Sequence, residues 1–155
     1  MERIPITTSG YKVLKNELSR LKTVDRPANI KAIEEARAHG DLSENAEFEA
    51  AKERQSFIDA RINDLSYKLT NCDIIDPGTL PKDRAVFAST VHLENMETGE
   101  GVEYQLVGPD ESSIEEGRIS VTSPLGMAII GKKPGDEVHI EAPGGRREYE
   151  LVAIL

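Results

Sequence analysis

The chain has a single cysteine, no tryptophan, and only three Phe and four Tyr among its 155 residues. A lone Cys72 excludes an intrachain disulfide and any metal centre built from several thiolates of one chain. It fits a reducing compartment, and a cytoplasmic protein is expected. Nowhere does the sequence approach the roughly 18 consecutive apolar residues of a membrane-spanning helix. Met1-Glu2-Arg3-Ile4-Pro5 also lacks the basic-then-apolar run of a secretion signal, so no membrane partner is expected. Positive charge is scarce as well. Against 28 Asp+Glu there are 19 Lys+Arg, a formal net charge of -9, which argues against binding nucleic acid chiefly by neutralising phosphates. The deficit is uneven: residues 1–76 hold 12 Lys+Arg against 14 Asp+Glu, and residues 77–155 hold 7 against 14.

What is present is helical periodicity in the first half. Thr7-Thr8-Ser9-Gly10 offers hydroxyls for a helix N-cap, and Tyr11, Leu14, Leu18 and Leu21 follow at intervals of three and four. A second seam runs through Ala51, Gln55, Ile58, Ile62, Leu65 and Leu69. Two such seams on either side of a short turn predict an antiparallel coiled-coil hairpin. A fold about residues 41 and 42 pairs Leu14 with Leu69, Leu18 with Leu65 and Leu21 with Ile62. Farther out the same rule pairs Ala28 with Gln55 and Ala32 with Ala51. Each buried Leu or Ile contributes roughly 1.5–3 kcal/mol, so the base of the hairpin is the adhesive part and its far end is small and polar. Pro27 lacks an N–H and predicts a kink or short break around Val24 to Arg26. From Gly10 to His39 a helix rising about 1.5 Å per residue gives an arm of about 45 Å.

The second half reads differently. Asp76-Pro77-Gly78-Thr79-Leu80-Pro81-Lys82-Asp83 is rich in breakers and predicts a linker. Strands are predicted at 86–94, 102–107, 136–142 and 147–155, with Thr98-Gly99-Glu100-Gly101 and Pro143-Gly144-Gly145 as turns and a short helix from Pro124 to Ile130. The expected fold class is α+β, divided into a coiled-coil arm (1–76), a linker (77–84) and an antiparallel-sheet domain (85–155).

The turn of the hairpin carries the strongest chemical signal. His39-Gly40 reads as a helix C-terminus with glycine at the left-handed position, and Asp41-Leu42-Ser43-Glu44 as an N-cap with Glu three places on. Capping alone accounts for Gly40, Asp41 and Glu44. The same two carboxylates, near a helix N-terminus, are also able to complete the shell of a Mg²⁺ ion held mainly by a partner and a phosphate. They are too few to hold it alone, so no metal is expected on the isolated protein.

Gly40-Asp41-Leu42-Ser43-Glu44-Asn45-Ala46-Glu47-Phe48 resembles the tip of the bacterial transcript cleavage factors, the Gre family. Ile119-Ser120-Val121-Thr122-Ser123-Pro124-Leu125, followed by Ile130-Gly131-Lys132 and Gly135-Asp136, resembles that family's C-terminal signature, and the likeness covers essentially the whole chain. The resemblance implies an FKBP-like second domain that docks on RNA polymerase. It implies an arm that enters the polymerase secondary channel and stimulates the polymerase's own hydrolysis of backtracked RNA; the chain is then an accessory factor and not itself an enzyme. By the same resemblance Asp41 and Glu44 help hold a second Mg²⁺ shared with the polymerase, and Ser43 helps orient the water or a phosphate.

Arg37 and Lys52 are candidates to meet phosphates of the displaced RNA 3′ end, against the alternative of a solvated helix face. Arg54 and Arg61 are weaker candidates. His39 is read as a last-turn residue suited to the helix dipole, and Cys72 as a packed thiol near the arm's base. A monomer is expected. A channel-binding regulator that inhibits without promoting cleavage is the main alternative. Self-association through the arm would call for apolar residues on its outer face, which is mostly charged. Prolyl isomerase activity would need an aromatic-lined cavity, for which only Phe87, Tyr104 and Tyr149 are available. Ile114, Leu125, Met127 and Ile129 are open between core and docking roles.

Overall fold

The computed structural model describes residues 3–40 and 45–155, and they divide into two compact units. The first comprises Met1–Ile4 and Tyr11–Cys72, the second Pro5–Gly10 and Asp73–Leu155. Two short strands, β1 (Ile4–Thr7) and β2 (Cys72–Ile75), pair with each other. Neither was expected from the sequence, which placed residues 72–75 in the arm; four-residue segments carry too little periodicity to be read alone.

The helical path of the first unit begins with α1 (Thr8–Arg20), whose first turn is capped by the Thr7 hydroxyl accepting from the Gly10 N–H at 3.0 Å. A π-helical turn (Leu21–Asp25) follows, then α2 (Arg26–Ala38), and α3 (Ala46–Thr70) returns. The return is antiparallel. Arg61 reaches Glu17, Arg26 faces Asp59, Asn29 bonds to Ala51 and Gln55, and Asn45 bonds to Ala36, so each step out along one helix matches a step back along the other. Five of the six α3 seam residues behave as an apolar stripe should. Ala51, Ile58, Ile62 and Leu65 are buried and Leu69 half-buried, with Gln55 half-buried in polar contact and Phe48 extending the stripe one rung further.

The disturbance expected just before Pro27 is present, as the π-helical turn. The chain does not break there: Arg20, Asp25 and Arg26 all keep right-handed helical dihedrals, and the Arg26 N–H bonds to the Leu21 carbonyl, five residues back. Proline offers no N–H to the carbonyl four residues before it and crowds that carbonyl. A wider turn absorbs the misfit without ending the helix. It also shifts the seam by one residue. Beyond the turn Asn29 and Ala36 are buried and Ile33 half-buried, whereas Ala28 and Ala32, the expected rungs, are exposed.

The second unit is a five-stranded sheet in the order β5-β4-β3-β7-β6, with β3 at Thr90–Asn95, β4 at Gly101–Val107, β5 at Arg118–Ser120, β6 at Glu137–Ala142 and β7 at Gly145–Ile154. The four expected strands are present and pair antiparallel, while the unexpected three-residue β5 joins β4 in parallel. β3 starts at Thr90 instead of 86, because Ala88 takes a left-handed φ of 73° and ends any extended run there. Val91, Leu93, Leu106, Ile119, Val138 and Leu151 supply one buried face, closed by Ile129 from the short helix α4 (Pro124–Ile129). Gly126 lets that helix approach β5: a Cβ there would stand 2.0 Å from the Ser120 carbonyl oxygen.

Candidate functional site

Four backbone carbonyls at the end of a helix and four N–H groups at the start of the next have no partner within their own helix. At the end of the hairpin one residue serves both. The Asn45 Oδ1 accepts from the Phe48 N–H at 3.0 Å, capping α3, and its Nδ2 donates to the Ala36 carbonyl of α2 at 2.8 Å. α2 itself closes at His39, whose N–H donates to the Ala36 carbonyl at 3.2 Å, and Gly40 follows at φ 106°, the left-handed termination that its sequence suggested. The cap of α3 is therefore Asn45, four residues after the position first assigned to it. Two overlapping signals compete in the sequence, Asp41 with Glu44, and Asn45 with Glu47 and Glu49 in the following first turn. The second supplies the cap of α3.

Asp41, Ser43 and Glu44 lie outside the described residues. What the structure supplies is their frame: one fixed helix end on each side, joined through Asn45. Ala36 and Phe48 beneath it are 3% and 8% exposed, so the frame rests on packed side chains. Among the described residues no group of three or more His, Cys, Asp or Glu is placed to hold a metal ion.

The candidate cations separate into two kinds. Lys52 on α3 is exposed and its ammonium stands 5.2 Å from the Phe48 ring centroid, a cation–π contact that holds it near the hairpin end. Arg37 is exposed in the last turn of α2, where its charge complements the helix dipole. Arg54 is exposed on α3. Arg61 is engaged elsewhere: its Nε and Nη2 donate to the two Glu17 oxygens at 2.6 and 3.2 Å and its Nη1 to Asp64 at 3.1 Å. It is a strut of the hairpin. His39 is exposed at the α2 C-cap, and Cys72 is half-buried with its thiol donating to the Leu69 carbonyl at 3.3 Å.

In the second unit the four residues left open by the sequence divide cleanly. Ile129 is core and Leu125 packs against it, whereas Ile114 and Met127 are 73% and 62% exposed. Ile114 borders a groove of about 410 Å³ whose lining includes Tyr104, Ile119, Leu125, Ile140 and Pro143. Tyr104 is its aromatic member. Phe87 lines a different depression, and Tyr149 packs against the core.

The family model described as "Transcription elongation factor, N-terminal" matches residues 4–74, and that described as "Transcription elongation factor, GreA/GreB, C-term" matches residues 80–155. The "Transcription elongation factor GreA" of Methylococcus capsulatus is 54% identical over 155 residues, covering 99% of this chain and 98% of the relative. Its counterpart from Syntrophus aciditrophicus is 56% identical over 154 residues, covering 99% and 96%. Among solved structures, GreA factor homolog 1 of Thermus thermophilus is 30% identical, with 99% of each chain covered and a TM-score of 0.46. Two models that between them account for both units, and relatives sharing more than half their residues end to end, leave one assignment: the chain belongs to the GreA/GreB family of transcription elongation factors.

Proposed function

We propose that this elongation factor works from the end of its helical hairpin, inserted into the secondary channel of RNA polymerase, where it stimulates the polymerase's intrinsic cleavage of backtracked RNA and so rescues arrested complexes. The observation that carries the reading is the frame around residues 41–44. Helix α2 is terminated by His39 and Gly40, α3 is capped by Asn45, and the Asn45 amide ties the two ends together. α3 is thus capped by Asn45. Asp41 and Glu44 would help hold the polymerase's second Mg²⁺, which would supply charge for activating the attacking water. Ser43 orients that water or a phosphate oxygen. Arg37 and Lys52, on the two helices behind the turn, meet phosphates of the displaced RNA 3′ end. The chain contributes no active site of its own, and the polymerase keeps the chemistry.

The second unit docks on the polymerase rim. Its exposed Ile114 and the apolar groove beside it are the surface on offer, and a groove with Tyr104 as its aromatic member gives little support to an isomerase. The cytoplasm, as the compartment of the transcription machinery, is the expected location, and a monomer the working form.

The test compares wild type with Asp41→Asn plus Glu44→Gln in stalled polymerase complexes. Intact thermal stability with lost RNA cleavage supports the mechanism, because each amide is a poor Mg²⁺ ligand. Undiminished cleavage by the double variant sinks it. Tight binding to polymerase by the wild type with no cleavage at all, accompanied by slowed elongation, would establish the inhibitory regulator instead.

A further inference from the structure

The distal half of the hairpin carries a polar network in a seam that is otherwise small and apolar. Asn29, 4% exposed, donates from Nδ2 to the Ala51 carbonyl at 2.8 Å and to the Gln55 Oε1 at 2.9 Å. Gln55 passes the chain on, its Nε2 lying 3.3 Å from both Asp59 carboxylate oxygens. Asp59 in turn faces the Arg26 Nε at 3.5 Å, an ion pair without hydrogen-bond alignment, which leaves that buried nitrogen unsatisfied. The network begins immediately after the π turn, at the point where the seam changes phase. Leu21 and Asn29 are eight residues apart where a heptad takes seven, and the wide turn takes up the extra residue.

Apolar packing specifies register weakly here. Ala36 and Ala51 have little shape to interlock, and Ile33 is only half-buried. A slip of α2 against α3 would lose little of this packing, although Phe48 and the Asn45–Ala36 bond, both at the extreme end of the hairpin, also oppose it. A buried amide is different, because displaced from its partners it is left unpaired at a cost of about 1–3 kcal/mol. Asparagine on a coiled-coil seam fixes register in this way, at some expense of stability.

We propose that Asn29 is a register lock and a positioning residue. By holding α2 against Ala51 and Gln55 it sets the axial alignment of the two helix ends that frame residues 41–44. Its functional arm rests on the hairpin end being the working end. The geometric arm does not.

The experiment uses the full chain and two variants. In Asn29→Leu the seam gains apolar volume, so the melting temperature is expected to hold or rise. The ¹H–¹⁵N resonances of Ile33, Ala36, Phe48 and Ala51 are nevertheless expected to split or broaden, while those of Leu14 and Leu65 stay single. Asn29→Ala should show the same distal heterogeneity with a lower melting temperature. In stalled polymerase complexes, Asn29→Leu at saturating concentration should cleave at a maximal rate about tenfold lower, with the half-saturating concentration unchanged, as a misplaced catalytic group predicts. A single, sharp set of distal resonances in both variants overturns the lock. An unchanged maximal rate in the presence of split resonances overturns the positioning role. A wild-type chain that stimulates no cleavage removes the working-end reading instead, and the resonance comparison still decides the lock.

Discussion

The side-chain amide of Asn45 donates to the carbonyl of Ala36 at 2.8 Å, joining the start of one helix to the last turn of the other across the end of the hairpin. The same side chain accepts from the Phe48 N–H. Replacing it removes a cap and a cross-hairpin bond together. Asn45→Ala should therefore destabilise the protein by about 1–2 kcal/mol in urea denaturation. Asn45→Asp keeps the acceptor for Phe48 but loses the donor to Ala36, and should fall between the two. Equal stability of Asn45→Asp and Asn45→Ala would mean that the Ala36 bond carries the whole effect.

A carboxylate is built into the start of α1. Glu111 accepts from both the N–H and the hydroxyl of Thr7, and the Cβ of an alanine at Gly10 would stand 2.1 Å from the Glu111 Oε1. Gly10→Ala alone must push that carboxylate off its partners and should destabilise by about 1–2 kcal/mol, despite alanine's better helix propensity. In a Glu111→Ala background the obstacle is gone and Gly10→Ala should stabilise by up to about 1 kcal/mol. A double-mutant cycle by thermal denaturation reads this change of sign.

Gly126 presents a harder obstacle, since its blocked neighbour is backbone. A Cβ would meet the Ser120 carbonyl oxygen at 2.0 Å and its carbon at 2.9 Å. Neither can swing aside as the end of a side chain can. Gly126→Ala should cost about 3 kcal/mol or more through displacement of α4 from β5, visible as a large drop in the melting temperature.

The two cations near the hairpin end should respond differently. Lys52→Ala removes the contact over Phe48 and should lower stability by about 0.5–1 kcal/mol. Arg37→Ala, on an exposed surface, should leave the melting temperature nearly unchanged. If both meet RNA phosphates, both should weaken cleavage of backtracked RNA, and the loss should shrink as salt is raised. Cleavage by Arg37→Ala equal to wild type at low salt would assign Arg37 to the solvated helix face.

Much of this was legible in the residues themselves. The α3 seam is a strict three-four alternation of six positions, and periodicity of that length survives folding because a buried stripe is the only stable place for it. The four longer strands and the short helix from Pro124 follow from breakers and alternation. Less legible were features that depend on one turn winning over another. Asp41 and Asn45 both satisfy the local rule for a cap, and only the carbonyl of Ala36, brought within reach by the antiparallel packing of α2, favours Asn45. The three-residue β5 and the pair β1–β2 exist because partners far along the chain accept their hydrogen bonds, which no local pattern announces.

By itself the sequence determined the fold class, the helical hairpin followed by a sheet domain, and the family, because these rest on extended periodicity and on two motifs set far apart in the chain. Tertiary structure alone decided the phase of the distal seam. Pro27 announces a disturbance, but whether a helix breaks, kinks or widens there depends on what its far side must pack against. Here the wide turn carries Asn29 inward, where its amide meets both Ala51 and Gln55, and Ala28 outward.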